Sequence, residues 1–458
     1  MKQAALFRGA AGRERSRSGA AQAATALGLG FLILVTAMAA GAGLSTPASA
    51  LTPAIHLGVE GCAGSGCHGN VEASSRTSVM QNEVSVWRAR DPHARAWKTL
   101  QEPRGQRIAR NLGIADAGSA AQCLSCHTDN APAGQRGQMF RISDGVGCEA
   151  CHGASTPWLG LHASGIASHG QNVAAGLYPT EQPQARANMC LGCHVGDGSR
   201  FVTHEIMAAG HPRLRFELDT YTNTQPPHWR IDADYRARKG TSDRVGTWAA
   251  GQIEAADKTL GLIGSRFAGK GGMPELGVFD CTACHKPMMP GSFDAAAGRG
   301  VGPGVPRLAD ANLVMVRVLL QAFDPKAADA LRADWVNLHA ASRKGAGAVA
   351  GAASAVRSRL GAAGGYAGRS YDAAGRRRLA AAFVAEAGEG RLSDYAVAEQ
   401  ATMGLGAIVA GMQESGGNVS AANAALDIVY STIASEKSFD GTKWNAAVRH
   451  LGETLAGE

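Results

Sequence analysis

Apolar residues recur at helical spacing in the last third of the chain. Leu313, Val316, Leu319, Leu320 and Phe323 are separated by one, three or four positions and fall on one face of an α-helix. Three later groups show the same kind of spacing: Met403, Leu405, Ile408, Val409 and Met412; Leu426, Ile428, Val429 and Ile433; Trp444, Val448, Leu451 and Leu455. This pattern predicts a bundle of about four to six helices.

Two stretches of unusual composition flank or interrupt this pattern. Residues 290–306 are rich in glycine and proline, which is typical of a linker between domains. Residues 343–368 consist mainly of Gly, Ala, Ser and Arg, and this low complexity predicts a mobile loop within the bundle. We therefore expect a first domain over residues 51–290 and an α-helical domain over residues 291–458.

The first domain differs in composition from the helical one. Aromatic residues make up 5% of the chain and glycine contributes 60 residues, so an ordinary hydrophobic core would be thin here. We predict loops with short helices, and hence a mainly α protein with much irregular structure. Asp91 and Pro92 are typical of a helix start, which places His93 in a first helical turn.

Residues 1–50 have the features of a signal peptide. A basic region is followed by an apolar stretch from Ala20 to Leu44, and Ala48-Ser49-Ala50 is typical of a cleavage site. We therefore expect export to the periplasm and removal of the leader. The alternative is a retained membrane anchor, because the apolar stretch is nearly long enough to span a bilayer.

All 10 cysteines fall into pairs, and each pair precedes a histidine. Four pairs have Cys-x-x-Cys-His spacing, whereas the first has four residues between its cysteines. These boxes are numbered 1 to 5 in chain order: Cys62, Cys67 and His68; Cys123, Cys126 and His127; Cys148, Cys151 and His152; Cys190, Cys193 and His194; Cys281, Cys284 and His285. The spacing is typical of covalent haem attachment, in which two thiols form thioethers and the following imidazole binds the iron.

Zinc binding and disulfide formation are alternative uses of paired cysteines. A zinc ribbon would pair two Cys-x-x-Cys units around one ion. Neither a zinc ribbon nor a disulfide framework requires a histidine after every second cysteine. The recurring histidine therefore favours haem, and we predict five covalently attached haems c.

Histidines outside the boxes are concentrated in the first domain. Of the 14 histidines, only His339 and His450 lie in the last third of the chain. A low-spin haem iron takes a second imidazole as its sixth ligand, so we predict distal ligands among these histidines. The main candidates are His93, His162, His204 and His211, with His56, His169 and His228 as weaker ones. A hydrogen bond to a haem propionate or a solvated surface position is the alternative for each.

The charge of the chain excludes one class of partner. Residues 51–458 contain 40 Lys and Arg and 37 Asp and Glu, a net charge of +3. Each oxidised bis-histidine haem adds about one negative charge, which makes the haem-loaded protein nearly neutral. No basic cluster with interleaved aromatic residues supports nucleic-acid binding. We expect redox proteins, soluble or membrane-bound, as electron donor and acceptor, and membrane contact only if the leader is retained.

The order of these features resembles the cytochrome c-554 family of multihaem cytochromes, relatives of the haem arrays around hydroxylamine oxidoreductase. The resemblance covers roughly residues 60–215. It rests on box 1 followed by a Trp and by His93-Ala94-Arg95-Ala96, on box 2, on the run Gly145–Gly153 with His162 after it, and on box 4 with later histidines. The chain departs from the family in its stretched box 1, its added box 5 and its C-terminal helices.

This resemblance carries expectations for ligation. It implies periplasmic electron transfer through closely packed, mostly bis-histidine haems. It also implies that His162 serves the first haem and that His93 serves the third. In tetrahaem family members the second haem can be five-coordinate, which here is the haem on box 2. His211 and His228 are additional histidines, and either of them would fill that position.

Three functions remain open at this point. The first is an electron carrier, which requires only closely packed haems. The second is a reductase of a nitrogen or sulfur oxide at an open haem, with Arg136 and Arg141 as the best cations for stabilising a reduced oxyanion. The third is a scaffold whose helical domain docks the haem domain onto a partner. The residues favour a carrier over a catalyst without deciding between them.

Overall fold

The computed structural model describes residues 53–269, 272–285 and 300–457 of the chain. It is 62% helical, and the described part contains isolated β-bridges but no β-strand. The predicted mainly α fold is therefore confirmed. The predicted leader and the part of the predicted linker before residue 300 lie outside the described residues.

Short helices separated by loops make up the chain before residue 240. They are α1 Val59–Cys62, α2 Glu83–Arg90, α3 Ala96–Gln101, α4 Pro103–Asn111, α5 Ala121–His127, α6 Cys148–His152, α7 Leu159–Ser164, α8 His169–Ala174, α9 Pro183–His194, α10 His204–Ala208, α11 Leu218–Thr224 and α12 Ala233–Lys239. Proline at the first position begins α4 and α9, where its missing N–H would have no helical partner. Between α2 and α3, a 3₁₀-helix spans Pro92–Arg95, and the Asp91 side chain caps it by accepting from the His93 amide.

Longer helices make up the rest of the described chain. They are α13 Arg244–Arg266, the one-turn α14 Cys281–Cys284, α15 Ala311–Phe323, α16 Pro325–Ala341, α17 Ala346–Arg359, α18 Ala373–Gly388, α19 Tyr395–Glu414, α20 Ser420–Thr432 and α21 Gly441–Gly457. The predicted apolar groups lie on α15, α19, α20 and α21 as the spacing requires.

Helix α13 is the central element of the helical bundle. Its first turn is capped by Asp243, whose carboxylate accepts from the Gly246 amide. It packs against α15, α17 and α19, and its other side contacts α9 and α11 of the preceding segment. The largest hydrophobic cluster accordingly runs from Val245 to Leu455. The bundle therefore includes residues that precede the predicted linker.

The segment 343–368, predicted to be a loop, is instead helical. Most of it forms α17, followed by a 3₁₀-helix over Leu360–Tyr366. Val349, Ala353 and Val356 are buried on one side of α17. Alanine has the highest helix propensity, and small residues let two helices approach closely. A Cβ added to Gly264 of α13 would lie 3.6 Å from the Ala353 Cβ, which shows how near the two helices are.

Before α13 the described chain has only small apolar clusters. One joins Leu100, Ala109, Ala117 and Leu124 between α3, α4 and α5. A second, around Val59, Val84 and Trp87, includes the partly buried sulfur-bearing residues Cys62 and Cys148. A third, built on Ala187, Leu191, Leu218, Ala250 and Ala255, joins α9 and α11 to α13. These clusters all border a cysteine box.

None of the described helices combines the length and apolar character that crossing a bilayer requires.

Candidate functional site

Boxes 2 to 5 lie on or at the end of single helical turns. Boxes 2, 3 and 4 lie within α5, α6 and the end of α9, and box 5 forms α14 with His285 directly after it. Residues at positions i, i+3 and i+4 share one helix face, so both sulfurs and the imidazole of each box point to the same side. That is the arrangement needed to hold one flat group at three points.

In box 1 the histidine is also placed beside its two cysteines, but by a different backbone conformation. Cys62 ends α1, and the additional residues form a turn that the His68 amide closes by donating to the Cys62 carbonyl at 3.2 Å. Gly69 lies against the same turn, since a Cβ there would be 1.8 Å from the Ala63 carbonyl oxygen. The stretched spacing is thus folded back so that His68 lies beside its cysteines.

Each box histidine faces a second imidazole from outside the boxes. The ring centres are 5.9 to 6.5 Å apart in every pair. The pairs are His68 with His162 (5.9 Å), His127 with His211 (6.4 Å), His152 with His228 (6.5 Å), His194 with His93 (6.1 Å) and His285 with His204 (6.2 Å).

This spacing is what two imidazoles on one metal ion require. An imidazole nitrogen binds a metal ion at about 2 Å and lies about 1.1 Å from its own ring centre, so the two centres are about 6.2 Å apart. Aromatic packing also allows separations of about 4.5–7 Å. Packing alone does not explain why every box histidine has a partner from outside the boxes at nearly the same distance.

The second ring nitrogen of several of these imidazoles already has an acceptor. Nδ1 of His68 donates to Glu83 at 2.9 Å, and Nδ1 of His93 donates to Asp91 at 2.8 Å. Backbone carbonyls take the same role for two others: Ala96 accepts from His127 and Pro212 from His211, both at 2.8 Å. With Nδ1 protonated, Nε2 is free to bind a metal ion, as in most metal-ligating histidines.

Burial favours the neutral, ligating form of the imidazoles. It lowers the pKa of His152 and of His194 to about 4. It also lowers the pKa of His162, His211 and His228. A metal ligand must be unprotonated at the binding nitrogen, so these sites need not lose a proton near neutral pH.

Asp91 is held as a carboxylate beside His93. Burial opposes its ionisation, but hydrogen bonds from His93 and from the Gln225 side chain more than offset this and lower the pKa of Asp91 to about 2. For Glu83, burial likewise acts against ionisation, and the hydrogen bonds from His68 and from backbone amides together outweigh it and lower the pKa. Both carboxylates therefore remain charged acceptors for a ligand imidazole.

The pairing differs from the family-based expectation at two boxes. His162 lies opposite box 1, as expected, but His93 lies opposite box 4 and not box 3. His228, a weaker candidate, takes the position opposite box 3. The His93 carbonyl does accept the Val146 amide just before box 3, but its ring faces His194, and the loop that follows α11 supplies His228 to box 3. His211 lies opposite box 2, the expected open position.

Cysteine side chains of different boxes lie near one another. Cys62 is in hydrogen-bonding contact with Cys148, which lowers the pKa of the Cys62 thiol and raises that of Cys148. Cys126 contacts Cys193 in the same way, and this lowers the pKa of Cys126 to about 7. Cys151 and Cys190 interact electrostatically. These contacts place box 1 beside box 3, box 3 beside box 4, and box 4 beside box 2.

Box 5 joins this arrangement through an open cleft. The cleft is open to solvent and is lined by His194 of box 4 and by Cys281 and Thr282 of box 5. Arg213 and Arg215 also line it, and both pair with Glu399 of α19. The lining is partly apolar, and its two arginines are also paired with Glu436.

The acidic residue within box 3 has a structural role. Both carboxylate oxygens of Glu149 accept backbone amides, from Leu57 at 2.9 Å, Gly58 at 2.7 Å and Ser155 at 2.8 Å. Glu149, His56 and Asp129 offer ligand atoms within 4.8 Å of one another. Because the amides already occupy the Glu149 oxygens, this cluster fixes the chain before box 1 onto box 3.

The remaining histidines and the two candidate arginines lie elsewhere. His56 contacts Asp129, and His169 contacts Glu181 at 2.9 Å. His339 is buried beside Trp335 in the bundle. Arg136 donates to the Ala131 carbonyl and lies over the Phe140 ring. The structure gives Arg141 no contact that suggests a role in anion binding.

Paired thiols, each followed by an imidazole that faces a second imidazole at metal-bridging distance, are the groups that covalent attachment of haem c requires. The class of protein is therefore a c-type cytochrome involved in electron transfer. Residues 63–153, which begin directly after Cys62 of box 1 and end directly after His152 of box 3, match the family model described as cytochrome c554 and c-prime. Comparison with curated proteins found no match. Comparison with solved structures found none either.

Proposed function

We propose that this protein is a periplasmic pentahaem cytochrome that carries electrons between redox partners. The observation that supports the proposal is the set of five imidazole pairs with ring centres 5.9 to 6.5 Å apart. A haem with two imidazole ligands supplies reversible one-electron transfer and offers no open position to a substrate.

The residues around the imidazoles suit this role. Fixed acceptors on Nδ1 hold the rings of His68, His93, His127 and His211 in place when the charge of the metal changes. Electron exchange is faster when the ligands move little between the oxidised and reduced states of the metal. The sulfur contacts between boxes support close packing of the haems into one relay.

Boxes 1 and 5 are the most accessible boxes of the relay. Cys67 of box 1 and Cys284 of box 5 are exposed, whereas all other cysteines are partly covered by protein. We infer that partners exchange electrons near these boxes or at surfaces close to the middle of the relay. The predicted leader supports a periplasmic location, since export precedes haem attachment in c-type cytochromes.

A reductase is the less supported alternative. It would need one box histidine that faces no second imidazole. Box 2 was the candidate from the family resemblance, but His211 lies opposite His127 with its Nδ1 engaged by the Pro212 carbonyl. Its Nε2 is thus available to complete the coordination of the metal.

Haem content is the first test. Pyridine haemochrome analysis combined with the intact mass of the purified protein should give five haems c per chain. A value of four would indicate that box 1, whose spacing is unusual, binds no haem. The double variant Cys62→Ser with Cys67→Ser tests this directly, because it should lose one haem only if box 1 binds one. A colourless protein, or one with zinc at the cysteines, would refute the proposal.

Spin state is the second test. EPR of the oxidised protein should show low-spin iron only, because every box histidine has an imidazole partner. Cyanide or nitric oxide added at neutral pH should leave the spectrum unchanged. A high-spin signal that disappears on adding such a ligand would support the reductase instead.

A further inference from the structure

One short stretch concentrates the positive charge of the chain. Residues 88–110, from the end of α2 to α4, contain seven Arg and Lys and two acids, a net charge of +5. Residues 51–458 as a whole carry +3, so the remainder is slightly negative. All seven cations are exposed, whereas Asp91 is 1% exposed and bonded to His93. The surface here is therefore strongly cationic.

Most of these cations have no internal partner. Arg88 pairs with Glu60, and Arg104 donates to the Gly210 carbonyl. The other five form what we call the cationic face: Arg90, Arg95, Lys98, Arg107 and Arg110. Within the residues that the structure describes, none of the five makes an ion pair, in contrast to many arginines of the helical bundle.

The cationic face lies on the elements that cover two boxes. Leu100 of α3 and Ala109 of α4 pack on Leu124 of α5, the helix of box 2. The Ala96 carbonyl, next to Arg95, accepts from His127. His93, the imidazole opposite box 4, lies between Arg90 and Arg95. A partner bound here would be separated from boxes 2 and 4 by one layer of helices.

We propose that the cationic face docks an acidic redox protein, a conclusion that rests on the electron-carrier function proposed above. Complementary charge speeds association and orients two proteins before contact. An anionic membrane is a different kind of partner. It is less suited, because no large apolar side chain within residues 88–110 is strongly exposed among the described residues and none is available to insert.

The test compares two variants with equal loss of charge. The face variant combines Arg95→Gln, Lys98→Gln, Arg107→Gln and Arg110→Gln. The control variant combines Lys326→Gln, Arg343→Gln, Arg377→Gln and Arg449→Gln, four exposed cations of the helical bundle that make no ion pair among the described residues. Reduced flavodoxin, an acidic one-electron donor, serves as the probe in stopped-flow reduction of the oxidised cytochrome.

At low ionic strength the face variant should be reduced about tenfold more slowly than the native protein, and the control variant less than twofold. The difference should vanish at high salt, where charges are screened. Hexaammineruthenium(II), a small cation, should reduce the face variant no more slowly than the native protein. Equal effects of the two variants on the flavodoxin rate would overturn the proposal.

Further measurements separate the remaining outcomes. A shift in haem reduction potentials in the face variant would show that these cations bind haem propionates, which would overturn docking. Cosedimentation with phosphatidylglycerol vesicles provides a second measurement. If the face variant alone no longer cosediments while its flavodoxin rate is unchanged, the cationic face is a membrane site, and docking of an acidic protein is overturned. If the native protein passes no electrons from dithionite to ferricyanide, the carrier function itself fails.

Discussion

A ligand imidazole is controlled by the group that its second nitrogen contacts. At His93 and His68 that group is a carboxylate, whereas at His127 and His211 it is a backbone carbonyl. A carboxylate on Nδ1 makes the imidazole a stronger donor and stabilises ferric iron. Otherwise similar bis-histidine haems can therefore differ in potential along one chain.

Asp91→Asn tests this control at box 4. The amide oxygen still accepts the His93 proton, so the iron should stay low-spin, but loss of the charge should raise the potential of one haem. Spectroelectrochemical titration measures the shift. As a control, Asp427→Asn removes an exposed carboxylate of α20 that makes no ion pair among the described residues, and it should leave all potentials unchanged. A high-spin haem in Asp91→Asn would show that Asp91 positions His93 and does not tune the potential.

His228→Ala tests the least expected ligand. Without this imidazole the iron at box 3 should lose its sixth ligand, and the EPR spectrum should gain one high-spin signal. His169→Ala is the matched control, because His169 contacts Glu181 and faces no box histidine. An unchanged spectrum in His228→Ala would contradict the pairing with His152.

The box residues could be predicted from the sequence, but the pairing could not. Cys-x-x-Cys-His is local, so spacing alone identifies the cysteines and the proximal histidines. A distal histidine is brought in by the fold: His93 lies opposite His194, and helices α3 to α8 and most of α9 lie between them in the chain. His228 follows two prolines in a loop, and nothing in its neighbourhood indicates which box it faces.

At the scale of elements, α13 connects the box region to the bundle, and its glycines are fitted to their neighbours. A Cβ on Gly251 would lie 2.5 Å from the Leu218 Cβ of α11. A Cβ on Gly261, further along the same helix, would lie 3.8 Å from the end of the Arg357 side chain. One position is closed to a larger residue and the other is open.

Gly251→Ala and Gly261→Ala should therefore act in opposite directions. The first should lower the free energy of unfolding by about 1–3 kcal/mol, because α11 must move away. The second should raise it by about 0.5–1 kcal/mol, because alanine favours the helix. Denaturant unfolding of the haem-loaded protein followed by circular dichroism measures both. Equal effects would mean that α11 and α13 are less closely packed than the structure indicates.

Helical elements with apolar periodicity were predictable, and α17 was not. Val349, Ala353 and Val356 do recur at helical spacing, but this sparse stripe lies among glycines and small residues, so composition predicted a loop. The structure shows that neighbouring α13 and α16 supply the packing that makes this segment a helix. Tertiary contacts therefore decide the conformation here, because alanine permits a helix without specifying one.

At the scale of the molecule, apolar burial is unevenly distributed. The main cluster runs from Val245 to the last helix, whereas the chain before α13 has only small clusters beside the boxes. Haem rings supply apolar area at those boxes. We expect the two parts to depend on the cofactor to different degrees.

Limited proteolysis of haem-free protein tests this expectation. Protein produced without haem attachment should be cut throughout the segment before α13, while a fragment from about residue 244 to the C-terminal helix persists. The haem-loaded protein should resist in both parts under the same conditions. Equal resistance of the two parts in the haem-free protein would show that the box region folds without its cofactor.

The angles between paired imidazoles divide the iron sites into two electronic classes. The rings are nearly parallel at boxes 1 and 5, at 13° and 20°, and nearly perpendicular at boxes 2, 3 and 4, at 88°, 84° and 87°. Parallel rings split the two iron d orbitals that overlap with ligand π orbitals, whereas perpendicular rings leave them almost degenerate. With a haem iron bound at each pair, the g-tensor should therefore be rhombic at boxes 1 and 5 and strongly axial at boxes 2, 3 and 4.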